Sequence, residues 1–166
     1  QVVSVELETF PSLLTNNRRF YGYLENAYWL DLGTPLSFVK GSRDVVLGQC
    51  ESPLNPMPGQ SLIDASARVA DDAVVGDGSA IAHSVVIESG CTVQGSVLMP
   101  GAVVRTGSTI KDSLVGAGAV IGAGSRLTSA VVADLVDVPS ATVLKAGEQV
   151  FPDRNVLLNG EPIRII

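Results

Sequence analysis

From Ile63 onward a large aliphatic side chain returns at an almost fixed interval. Ile63, Val69, Val75, Ile81, Ile87, Val93, Leu98, Val104, Ile110, Val115, Ile121, Leu127, Val132 and Val138 follow in steps of six, with steps of five into Leu98, Val115 and Val132. Taken in threes, these anchors open coils at residues 63, 81, 98, 115 and 132, the first 18 residues long and the next three 17. Four residues after each anchor stands a mostly small or β-branched side chain: Ala67, Ala73, Ser79, Val85, Cys91, Val97, Ala102, Ser108, Leu114, Ala119, Ser125, Val131, Val136 and Thr142. Six is a multiple of the strand period of two, so both sets face one side of short strands. A three-sided coil needs a bulky residue on each flat wall and a small one near each corner, and stacked coils bury one apolar column. The expected fold is mainly β: a left-handed parallel β-helix of hexapeptide repeats, about five coils long. The phase around Val85-Val86-Ile87 stays open, because either neighbour could be the anchor.

Within the repeat, VGAGAVIGAGSRL at 115–127 looks like a nucleotide loop. Its spacing, G-x-G-x-x-x-G-x-G, misses the dinucleotide fingerprint, and no helical pattern follows to meet a phosphate. Gly116, Gly118, Gly122 and Gly124 are expected as turn glycines with positive φ.

Ahead of the repeat the composition changes. Seven of the eight aromatic residues lie in the first 38 positions. The stretch QCESPLNPMPGQS holds Pro53, Pro56, Pro58 and Gly59, which exclude helix and central strand. The expected organisation is therefore a small α+β segment over 1–48, a linker over 49–60, the β-helix over 61–148 and a tail over 149–166. Asn159-Gly160 gives the tail a hairpin signal that Pro162 weakens. In the front segment, FYGYLENAYWLDLG predicts two strands around a turn at Glu25-Asn26-Ala27. TPLSFVKGSRDVVLG predicts a helix, with Thr34 as N-cap, Pro35 at its first position, Gly48 past its end and an apolar stripe of Leu36, Val39, Val46 and Leu47. A shorter helix is predicted over Pro11–Leu14.

Charge narrows the partners. Eleven Lys+Arg stand against 17 Asp+Glu, a formal net charge of -6, with no basic run. That argues against nucleic acid and against electrostatic attraction to a membrane. No stretch of about 18 apolar residues suggests a spanning helix. The start, QVVSVELETF, lacks the features of a signal peptide. It opens on Gln rather than Met, as a processed product or fragment would. Cys50 and Cys91 are expected as reduced thiols of a cytoplasmic protein.

Asp31 falls at a strand end just before a helix N-terminus, where a metal–phosphate group can reach both the carboxylate and the helix dipole. The alternative is an Asp that supports the turn. Glu6 and Glu8 read as surface charges. His83, two residues after the anchor Ile81, is the one histidine and reads as exposed at a coil corner. One histidine excludes a self-contained three-histidine zinc site.

SVELETFP, then YGYLENAYWLDLGTPLSFVKG, then coils with recurring SVL and SLV steps, resemble the C-terminal half of the sugar-1-phosphate nucleotidyltransferases. Among these the bacterial mannose-1-phosphate guanylyltransferases are most similar. The resemblance covers essentially the whole chain, and the W-x-D-x-G-x-P segment is its specific part. It implies that Asp31 helps hold a catalytic Mg²⁺ and that Glu6 lies near the sugar pocket. It also implies a reaction in which a sugar 1-phosphate attacks the α-phosphorus of an NTP in line and releases pyrophosphate. Guanine and mannose are the first choice, with thymidine or uridine and glucose behind. The family's N-terminal half carries a glycine-rich nucleotide loop and a second metal-binding Asp, and this sequence has neither. The expectation is a parent nucleotidyltransferase whose 166-residue piece is inactive alone. Its β-helix would pack on the catalytic domain and build a homo-oligomer. Two other readings are a hexapeptide-repeat acyltransferase using His83 as its base, and a non-catalytic scaffold subunit.

Overall fold

The computed structural model describes residues 3–53 and 59–152, together with the backbone of two short strands at 157–158 and 161–162. The repeat folds into three parallel walls. The first stacks Ser61–Ile63, Ser79–Ile81, Val97–Leu98, Leu114–Val115, Val131–Val132 and Gln149–Val150. The second stacks Arg68–Val69, Val86–Ile87, Val103–Val104, Val120–Ile121 and Asp137–Val138. The third stacks Val74–Gly76, Thr92–Gln94, Thr109–Lys111, Arg126–Thr128 and Val143–Leu144. Register follows the repeat: Ile63 pairs with Ile81, Ile81 with Leu98, and Leu98 with Val115. The fold is thus a parallel β-helix of about five coils. Among the described residues no helix is long and apolar enough to cross a membrane.

The anchors form the core column. Ile87, Leu98, Ile110, Ile121 and Leu127 are fully buried, and the column runs on beyond Val138 through Leu144 and Val150. Ile63, on the first rung, is 41% exposed, so the column is open at that end of the described coils. The phase at 85–87 is settled by pairing. Ile87 lies between Val69 and Val104, Val85 also points inward, and Val86 faces out.

Counting four residues forward from each anchor fails at the five-residue steps. There the inward small residue is Ser96, Ser113 or Ala130, each fully buried. Val97, Leu114 and Val131 instead open the next strand and point outward. The physical reason is the pleat: the inward partner is fixed as the residue two before an anchor, whatever the length of the preceding corner. These outward side chains serve packing: Leu114 and Val131 share an apolar hollow with Pro35, Phe38 and Phe151, and Val97 lines another with Leu62 and Met99.

The buried serines link successive coils. Ser79 Oγ accepts from Ser96 N (3.2 Å), Ser96 Oγ from Ser113 N (3.1 Å) and Ser113 Oγ from Ala130 N (3.1 Å). Each hydroxyl donates in turn to a carbonyl: Gly76, Gln94 and Lys111 respectively. Tight corners bring these amides inside, where an unpaired N–H is costly.

The glycine expectation is corrected at two positions. Gly118 and Gly124 have φ of +65° and +68°. Gly116 and Gly122 are not in the left-handed region; they are needed for close approach. A Cβ on Gly116 would lie 2.5 Å from the backbone of Ala133 and Asp134 on the next coil.

In the front segment, a π-helical turn (Val5–Thr9) leads into helix α1 (Phe10–Thr15), and helix α2 spans Pro35–Val46. Thr34 Oγ1 accepts from Ser37 N while Ser37 Oγ accepts from Thr34 N, a reciprocal cap. Gly48 follows the helix with φ +74°. Val39 and Val46 are buried, while Leu36 is 38% exposed. The two strands expected over Phe20–Gly33 do not form. The chain does bend at Ala27, where Glu25 Oε1 accepts from the Asn26 and Ala27 amides, but no ladder follows among the described residues. The second half of the segment packs its alternate side chains on helix α2 instead, while Tyr21, Tyr23 and Leu24 of the first half stay exposed and give a ladder no apolar face to bury. Leu157–Leu158 pairs antiparallel with Glu161–Pro162 around Asn159-Gly160. That dipeptide itself, and residues 54–58 of the proline-rich stretch, lie outside the described residues.

Candidate functional site

The sequence YWLDL keeps the period of an extended chain even without a partner strand. Tyr28, Leu30 and Leu32 turn toward α2 and, with Phe38, Gly41, Ser42, Val45 and Cys50, line an apolar crevice of about 220 Å³. Gly41 is small because two leucines cross it. A Cβ there would meet Leu32 Cδ2 at 2.8 Å and Leu30 Cδ2 at 3.3 Å. Trp29 is 82% exposed, and Asp31 is exposed as well. Period two therefore presents the indole and the carboxylate on the side away from the helix.

Asp31 supports the turn and keeps one carboxylate oxygen open. Its Oδ1 accepts from Gly33 N at 2.9 Å and shapes the approach to the Thr34 cap. Its Oδ2 has no partner among the described residues. A free carboxylate oxygen suits Mg²⁺, which is commonly held by one or two carboxylates, waters and substrate phosphates. Among the described residues no group of three or more His, Cys, Asp or Glu side chains could hold a metal. Asp31 therefore fits as a single donor, and the described chain does not enclose an ion alone.

The other sequence-predicted residues stand apart. Glu6 is exposed on the π-helical turn, whose cap uses Ser4 and Glu8. No hydrogen bond joins that turn to Tyr28–Leu32 among the described residues. His83 is exposed in the corner between the first and second walls, where its carbonyl accepts from Gly101 N. Cys91 is buried, its thiol donating to the Arg105 carbonyl at 3.1 Å; burial pushes the thiol up from its ordinary pKa. Cys50 is half-buried at the crevice.

Sequence reasoning missed Asp44. This carboxylate, 4% exposed, accepts from Tyr28 Oη at 2.6 Å and from Lys40 Nζ at 2.5 Å. Burial alone would raise its pKa. The hydrogen bonds from Lys40 and Tyr28, with the charges of Lys40 and Arg43, outweigh that and hold it below the usual carboxylate range. The bond to Asp44, with desolvation behind it, pushes the Tyr28 phenol up to about 12. The signals available were the Lys40–Asp44 spacing of four on one helix and the tyrosine in YWLDL. Next to Asp44, Arg43 pairs with Asp77 (2.5 Å) and Asp112 (3.1 Å) on two coil corners. A cleft of about 500 Å³ opens here between α2 and the coils. Its lining cations are already committed, Lys40 to Asp44 and Arg43 to the two aspartates.

Comparison with known proteins gives the geometry its context. The chain is 39% identical over 111 residues to a mannose-1-phosphate guanylyltransferase of Mycobacterium tuberculosis, covering 55% of this chain and 31% of that protein. It is 29% identical over 101 residues to mannose-1-phosphate guanylyltransferase 1 of Arabidopsis thaliana, covering 54% of this chain and 28% of that protein. The matched stretch thus spans less than a third of either relative. The acetyltransferase domain of PglB from Neisseria gonorrhoeae FA1090 overlaps with a TM-score of 0.41 and 18% identity, over 54% of this chain and 53% of that one. An overlap at that level decides nothing about chemistry. Residues 57–165, well over half of the sequence, match the GMPPB C-terminal domain, and the chain belongs to that family.

Proposed function

We propose that this chain is the C-terminal portion of a nucleotidyltransferase that joins mannose 1-phosphate to GTP and releases pyrophosphate as GDP-mannose forms. The observation that carries the reading is the family match over residues 57–165, which agrees with the names of the guanylyltransferase relatives. Asp31 contributes one carboxylate oxygen to a Mg²⁺ site whose other ligands come from outside the described residues. When bound, the ion supplies charge neutralisation on the phosphates. The Gly33 amide holds the first oxygen of Asp31 and so aims the second. Trp29, on the same exposed side, faces the remainder of the protein. Glu6 lies toward the sugar. The β-helix serves packing on the catalytic part and assembly into a homo-oligomer, in a cytoplasmic enzyme. The 166-residue chain is inactive by itself.

The test compares the product of the whole open reading frame with this chain. Both are supplied with GTP, mannose 1-phosphate and Mg²⁺, and pyrophosphate and GDP-mannose are measured. The whole product is expected to turn over and the chain is not. Asp31→Asn in the whole product is expected to lose about a hundredfold or more in activity, at least the upper cost of removing a metal's outer partner. A whole product inert toward every NTP and sugar 1-phosphate, or an open reading frame with nothing ahead of these residues, overturns the reading. Light scattering that gives the mass of a single chain overturns the assembly.

A further inference from the structure

The hydrogen bond from Tyr28 to Asp44 sits where the exposed YWLDL segment, α2 and the β-helix meet. Among the described residues it is the one side-chain hydrogen bond from residues 18–33 to another element. We propose that Tyr28 and Asp44 are positioning residues through which the docked β-helix fixes the Asp31 loop. The inference rests on the reading of Asp31 as a metal ligand and deepens it.

The route runs through side-chain bonds and two short lengths of backbone. Asp77 and Asp112 hold the Arg43 guanidinium from two coils. Gly95 lies between them in the same corner column, and its missing side chain makes the room. A Cβ on Gly95 would stand 2.6 Å from Asp112 Oδ1 and 3.3 Å from Arg43 Nη1. One residue along α2, Asp44 takes the Tyr28 phenol and the Lys40 ammonium on the same oxygen. Asp31 follows Tyr28 by three residues, a reach of about 10 Å at full extension. Leu30 and Leu32 flank Asp31 and are pinned over Gly41. The loop is thus tied at one end by a directional bond and along one face by two leucines.

Stability alone is a weak account of such a cluster. Ion pairs with an exposed partner, as Lys40–Asp44 and the Arg43 pairs are, give little net stability, whereas the hydrogen bond from Tyr28 fixes direction. Position is what a single aimed carboxylate oxygen requires, because small displacements of a ligating group carry large costs.

The experiment uses the intact protein of the whole open reading frame. Tyr28→Phe removes one hydroxyl from a half-exposed ring and leaves the fold in place, which circular dichroism checks. Equilibrium binding of Mn²⁺ alone, read by electron paramagnetic resonance, is measured beside kcat and KM for GTP. Mn²⁺ affinity and kcat are each expected to fall about threefold to tenfold, less than the ~10- to 100-fold lost with a ligand's direct partner. KM for GTP is expected to hold, and the melting temperature to fall by a few degrees, as losing one hydrogen bond to a charged carboxylate requires. Asp44→Asn should act in the same direction, and the double variant should be no worse than the stronger single one, since both act through one bond. Wild-type Mn²⁺ binding and turnover in Tyr28→Phe overturns the inference. Asp31→Asn separates the two ideas. If it loses Mn²⁺ while Tyr28→Phe does not, the positioning role alone fails; if Asp31→Asn also binds and turns over like wild type, the metal reading fails and takes the inference with it.

Discussion

The buried serine column makes a demand that one atom can test. Ser113 is fully buried, and its Oγ is the acceptor for the Ala130 amide at 3.1 Å. It also donates to the Lys111 carbonyl at 2.6 Å, but that carbonyl keeps a second partner in the Ser129 amide at 2.9 Å. Ser113→Ala therefore orphans one group, the Ala130 N–H, in a place water does not reach. An unsatisfied buried donor costs about 1–3 kcal/mol. For a chain of this size that is roughly a 3–9 °C drop in melting temperature. The column also explains where it stops. The rung after Ser113 is Ala130, and it needs no hydroxyl, because the Glu148 amide above it is already bonded to the Lys145 carbonyl at 3.0 Å. Urea unfolding followed by circular dichroism gives the cost, and amide exchange at Ala130 gives its location. Accelerated exchange at Ala130 with a loss in that range is expected. A variant within a few tenths of a kcal/mol of wild type, with Ala130 still protected, would refute the reasoning.

Three further expectations concern the corners and the Tyr28–Asp44 bond. Gly116→Ala should cost about 3 kcal/mol, because its Cβ would meet backbone that cannot turn away, whereas Gly124→Ala, with open space around it but φ +68°, should cost about 1 kcal/mol from left-handed strain; urea midpoints decide the order. Ultraviolet titration should reveal a phenol ionising at about 12 that disappears from that range in Asp44→Asn. Asp44 has its pKa lowered by folding, so its contribution is full above the ordinary carboxylate value and drains away as pH falls through the lowered one; the melting temperature, followed from about pH 7 to about pH 2, should carry a loss that Asp44→Asn lacks.

The coils were legible because their information is local and repeated. Each anchor states its own face, and stacking in parallel register copies that statement from rung to rung, so Ile63, Ile81 and Leu98 align as their spacing requires. What the spacing misplaced was confined to the short corners, where Val97, Leu114 and Val131 took the positions that belong to Ser96, Ser113 and Ala130. A forward count slips when a corner loses a residue; a count backward from the anchor does not, because it stays within one strand. Helix α2 was legible for the same local reason, its cap and its proline lying in four consecutive letters.

The front segment was only half legible, and the missing half is non-local. The aromatic character of FYGYLENAYWLDLG marks extended chain, yet it cannot say whether a ladder partner is present, and none forms among the described residues. Asp44 is the clearest case. On the helix alone it is an ordinary solvated acid at the edge of an apolar stripe, paired four residues back with Lys40. In the fold it is 4% exposed, and its partner Tyr28 comes from 16 residues earlier in the chain. Spacing on the helix encodes the Lys40 pair, whereas the Tyr28 bond is created by docking. The same holds for Arg43, whose partners lie 34 and 69 residues away. Periodicity in this chain specifies what stacks, whereas the acids and the arginine specify how the stacked part is joined to the segment that carries Asp31. A variant that leaves the coils intact and breaks only that joint, such as Tyr28→Phe, is consequently where the fold and the proposed chemistry can be told apart.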